Sequence, residues 1–114
     1  MAYDPDLAER IRELTSQEPG ISEQRMFGGL AFLVAGNMAV TASGQGGVLV
    51  RTDPATTEQL LADAPGAEPM VMRGRPMRGW VHVEADAVRS QDALARWVTI
   101  GVTYARSLPA KTRG

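Results

Sequence analysis

The longest uninterrupted apolar run in the chain is Leu30-Ala31-Phe32-Leu33-Val34-Ala35, and it is punctuated by glycine on both sides. A segment apolar at every position predicts a strand covered on both faces, not on one. Downstream, Gly36-Asn37 predicts a tight hairpin turn, because both residue types tolerate the positive φ such turns require. Upstream, Gly28-Gly29 has two physical readings. The pair could form a hairpin turn of its own, or a bulge where the backbone kinks or another chain comes close. We favour the kink, which leaves a single strand over about 22–35.

The same patterning organises the rest of the chain. Asp4-Pro5 starts a helix, with Asp positioned to cap free N–H groups and Pro pre-set for the first helical position. Leu7, Ile11 and Leu14 recur at helical spacing, and Pro19-Gly20 ends the element. Further strands are expected at about 38–43 and 48–52, joined by Gly44-Gln45-Gly46-Gly47. Asp53-Pro54 repeats the helix start, and Ala64-Pro65-Gly66 terminates that second helix. Residues in the region of about 69–83 read as two strands around Arg73-Gly74-Arg75-Pro76, with Trp80, His82 and Glu84 opposite Val81 and Val83. Ser90 caps the longest helix, about 91–107, whose stripe is Leu94, Trp97, Val98, Gly101, Ala105 and Leu108. Pro109 stops it, and residues 110–114 read as a frayed tail. Five strands and three helices in the order α-β(3)-α-β(2)-α predict a two-layer α+β domain, an antiparallel sheet with helices mainly on one face.

Composition narrows the function classes. A chain of 114 residues without repeats or linker is one domain, able to bury about two-thirds of its unfolded surface. It has no cysteine, which excludes disulfides, zinc-thiolate sites and cysteine nucleophiles. No apolar run approaches a membrane span, and MAYDPDL lacks an export signal, so a cytoplasmic protein is expected. Charge is distributed unevenly: residues 1–71 carry four Arg against ten acids, and residues 72–114 carry seven Arg and Lys111 against three. A pI of about 5.8 argues against an autonomous DNA binder.

No catalytic constellation is visible. His82 is the sole histidine, and beside Glu84 it makes half a metal site with nothing to complete it, so an interface or surface role is expected. Met26, Met38, Met70, Met72 and Met77 are expected to fill gaps in the core, not to bind a soft metal. Gly28-Gly29 lacks the strand-to-helix context and neighbouring Lys of a phosphate cradle. Thr41, Ser43 and Ser90 have no base to activate them. No metal and no cofactor is expected. Arg73, Arg75 and Arg78 within six residues form a candidate anion-binding loop, since the guanidinium fork suits phosphate; the alternative is a solvated turn.

Three segments, RMFGGLAFLVAGNM, GRPMRGWVHV and ALARWV…YARSLP, together resemble the N-terminal domain of the TfoX or Sxy-type competence regulators. The resemblance runs from the first helix to SLPAK, and its most specific part is Arg25, Met26, Phe27, Gly28 and Gly29. It implies an α+β sandwich similar to secretion chaperones, a role in positive regulation of competence genes, and no catalytic residues. Competence-type members carry a second, C-terminal helical domain, whereas this sequence stops at Gly114, so a stand-alone role is expected. The expectation is a non-enzymatic interaction domain with a protein partner or a homodimer, through Phe32, Trp80 and His82; nucleic acid is the alternative, and no membrane contact is expected.

Overall fold

The computed structural model describes residues 3–26 and 28–110, and of Met72 only the backbone. Phe27 and the expected frayed residues Lys111–Gly114 lie outside the described residues. The order is α1 (Pro5–Leu14), β1 (Ile21–Met26), β2 (Gly29–Val34), β3 (Asn37–Ala42), β4 (Val48–Arg51), α2 (Thr57–Asp63), β5 (Ala67–Met72), β6 (Arg75–Val83), a 3-10 turn at Ala85–Val88, and α3 (Gln91–Ser107). All neighbouring strands are antiparallel in one six-stranded sheet, β1-β2-β3-β4-β6-β5.

The sixth strand corrects the expected five. Gly28, at φ 78°, is part of a hairpin turn, and Met26 pairs with Gly29 across it. The glycine pair therefore separates two strands instead of kinking one. Its two members do different work. Gly28 supplies the positive φ, while an added Cβ on Gly29 would stand 2.6 Å from the Ala42 carbonyl oxygen. The next hairpin also shifts by one residue. Its turn is Ala35-Gly36, at φ 49° and 86°, and Asn37 belongs to β3, where it is buried. Asn37 Nδ2 donates to the Pro109 carbonyl at 2.9 Å and so ties the chain after α3 to the sheet.

The helices form where the caps predict. Asp4 accepts from the Asp6 N–H at 2.9 Å, and Ser90 accepts from the Ala93 N–H at 3.1 Å. Asp53 instead caps a turn, accepting from the Ala55 N–H, and α2 begins only at Thr57.

Strand alternation divides the sheet into two faces. Phe32, Val40, Val50 and Val81 make one cross-strand row, and Leu30, Ala42, Val48 and Val83 make another. Both rows are buried under the helices, with Ile11, Leu94, Val98, Val102 and Ala105 packed against them. The helix α3 lies closest at Gly101, where a Cβ would meet the Ala39 carbonyl oxygen at 2.4 Å and Val50 at 3.4 Å. At the surface, Arg12 donates to both carboxylate oxygens of Glu23 at 2.6 and 2.9 Å, joining α1 to β1. That hydrogen-bonded pairing raises the Arg12 pKa and lowers that of Glu23 below the usual carboxylate range. Arg106 reaches Glu18 at 2.8 Å, so the two charge-biased sequence halves interleave in space.

Replacing Gly29 with Val is expected to cost about 2 kcal/mol or more, because the collision is with backbone that two strands hold in place. Denaturant melts read this directly. A midpoint equal to that of the unsubstituted protein contradicts the close approach.

A methionine-lined trough on the bare face of the sheet

Between the two core rows runs a third, facing away from the helices: Gln24, Ala31, Thr41, Leu49, His82 and Glu68, one residue from each strand. No described element lies over it. A trough of about 890 Å³ spans this face, bounded at one end by Met26 and Gly29 and at the other by Met70, Val71 and Arg73 of the β5–β6 hairpin. Sheet irregularities shape it. A bulge at Ala39 puts β2 and β3 out of step beside Phe32 and Leu33. The β5–β6 register breaks between Pro69 and Val71, and β6 turns at Gly79, φ 83°.

The lining corrects the expectation for the methionines. Met26, Met38, Met70 and Met77 all line the trough and all are half-buried, with Leu49 and Trp80 among them. None of these four belongs to the core cluster among the described residues. Val71, at the hairpin end, is 61% exposed, an apolar side chain standing in water. Phe32, expected beside Trp80 and His82, is wholly buried on the opposite face. It is a core residue and not part of this surface.

Polar groups enter the trough at a few points. His82 Nε2 lies 2.9 Å from the Gly46 carbonyl oxygen. A carbonyl only accepts, so Nε2 carries the proton and the ring is held in one orientation. The acid across from His82 is Glu68 of β5, not Glu84, which lies exposed beyond the end of β6. Thr41 is 4% exposed, and its Oγ1 has no hydrogen-bond partner among the described residues. Beside the trough, the Arg51 guanidinium lies 4.9 Å from the centre of the Trp80 ring and 5.5 Å from that of Tyr104. The Nε of Arg51 is buried and has no hydrogen-bond partner among the described residues.

The three arginines of the candidate anion loop are dispersed. Arg73 and Gly74 form a two-residue hairpin turn with φ 53° and 77°, and Arg73 lines the trough. Arg75 and Arg78 are exposed and do not line it. A smaller cleft of about 370 Å³ lies between α1 and α3, edged by the Arg106–Glu18 pair. Among the described residues, no group of three His, Cys, Asp or Glu is placed to hold a metal ion. Among the described residues no helix is long and apolar enough to cross a membrane.

A half-covered antiparallel sheet whose free face is an apolar trough, framed by glycine-dependent turns, is the scaffold that these segments encode. The profile of the TfoX N-terminal domain matches residues 13–105, most of the chain, and the chain belongs to that family. No curated protein and no solved structure matches it.

Thr41→Val is expected to raise stability by about 1 kcal/mol, since it replaces a buried, unpartnered hydroxyl with a methyl of similar shape. Thermal unfolding checks this. A loss of stability would show that the hydroxyl has a partner.

Proposed function

We propose that this chain is a non-enzymatic interaction domain of the TfoX N-terminal type, which holds a partner protein on the free face of its sheet and acts in transcription regulation through that contact. The observation that carries the reading is the methionine-lined trough. Four methionines with Leu49 and Trp80 make an apolar surface on a small domain, and contiguous apolar surface of this kind marks interaction sites. Methionine is suited to such a surface because its unbranched thioether adapts to a partner's shape. Family membership supports a regulatory role. The site's chemistry supports contact over catalysis, because His82 is committed to Gly46 and faces a single carboxylate.

Site-specific photo-crosslinking in cells tests the reading. A crosslinker at Leu49 or Met77, both in the trough, is expected to give discrete protein adducts. The same group at Thr99, exposed on α3, is expected to give none. Adducts of equal yield from Thr99, or none from the trough, overturn it.

A further inference from the structure

Resting on that reading, we infer the chemical class of the partner: an acidic amphipathic helix that lies across the strands, its apolar stripe on the methionines and its carboxylates toward the β5–β6 hairpin.

Charge at the margin carries the argument. Arg73 lines the trough, Arg51 stands across from Trp80 beside it, and exposed Arg75 and Arg78 lie on the same hairpin as Arg73 without lining it. Among the described residues these four form no ion pair. Elsewhere on the surface Arg12, Arg89 and Arg106 are paired with carboxylates and Arg10 donates to the Val88 and Arg89 carbonyls, while exposed Arg25 and Arg96 form no ion pair among the described residues. Among the described residues the only acid lining the trough is Glu68. The protein is acidic overall, yet its free apolar face is edged by unpaired cations. An occupant that supplies carboxylates there completes these groups.

Shape selects a helix. The lining runs from Met26 on β1 to Met70 on β5, so the occupant crosses the sheet instead of lying along one strand. Six strands about 4.8 Å apart span about 24 Å. At about 1.5 Å per residue, that is about 16 residues of helix. Addition of a strand at an edge is disfavoured: β5 carries Pro69, and β1 presents exposed Ser22, Glu23, Gln24 and Arg25. Single-stranded nucleic acid fits poorly, because binding it requires a series of aromatic platforms. Among the described residues the trough has one lining aromatic ring, Trp80, and that ring already stacks with Arg51. A second copy of this chain is also disfavoured. A two-fold contact uses the same patch twice, and among the described residues that patch brings Arg73 and Arg51 against a single glutamate, Glu68.

The test uses a fluorescent helical peptide of about 16 residues, with leucine at i, i+3, i+4 and i+7 and glutamate elsewhere. Controls are the same peptide with lysine for glutamate, and a single-stranded oligonucleotide of similar length. Anisotropy titration of the whole protein is expected to show the acidic peptide binding about tenfold or more tighter than the lysine peptide. Leu49→Glu is expected to abolish binding. The double variant Arg73→Glu, Arg75→Glu, at exposed positions of the β5–β6 hairpin, is expected to weaken it about tenfold. Equal affinity for the lysine peptide overturns the inference, as does oligonucleotide binding that survives Leu49→Glu. So does a dimer of the protein alone that Leu49→Glu disperses. If the acidic peptide fails to bind while trough crosslinks persist in cells, the partner class is wrong and the proposed function stands; if both are absent, both fall.

Discussion

The close approach of α3 to the sheet at Gly101 is the constraint on which the rest of the architecture depends. No side chain fits between that residue and the Ala39 carbonyl, so the long helix sits directly on β3 and β4. Leu94, Val98, Val102 and Ala105 then bury against the two valine-rich rows. Burial of this kind stabilises by roughly 25 cal/mol per Å² of apolar surface, and on this chain it is concentrated on one side of the sheet. The helices α1 and α2 join the same side, and the other face receives no helix. One-sided coverage thus gives both the stable core and the free surface.

That free surface differs in kind from the core. The core rows are valine, leucine, alanine and phenylalanine, stiff or compact side chains that pack in one way. The opposite face is methionine, leucine and tryptophan with a scattering of polar atoms. A surface built from adaptable side chains loses little when a partner's shape varies. Cationic groups at its margin add direction to an otherwise non-directional attraction.

Much of the fold is legible in the sequence. The limits of α3, both capping residues, and the division of Trp80 and His82 from Val81 and Val83 follow from local pattern. The family resemblance carried by Arg25-Met26-Phe27-Gly28-Gly29 holds for most of the chain. The misplaced methionines trace to irregular strands, and the missed turn to an ambiguous glycine pair. Gly28-Gly29 reads equally as a bulge or a turn, and only the pairing of Met26 with Gly29 decides it. Met38 and Val40 are two apart and belong on one face of a regular strand; the bulge at Ala39 sends Met38 to the trough and Val40 to the core. Met77 and Trp80, three apart, share the trough because β6 is irregular at Gly79. A bulge costs one residue and leaves almost no trace in composition, so the methionines read as core until pairing is known.

The central claim is that the methionine face is open in the isolated protein and covered when the protein works. Hydroxyl-radical labelling of purified protein and of intact cells, read by mass spectrometry at each methionine, tests it most directly. The account predicts that Met26, Met38, Met70 and Met77 are modified readily in the purified protein and strongly protected in cells. Equal modification of these four methionines in both settings would contradict it.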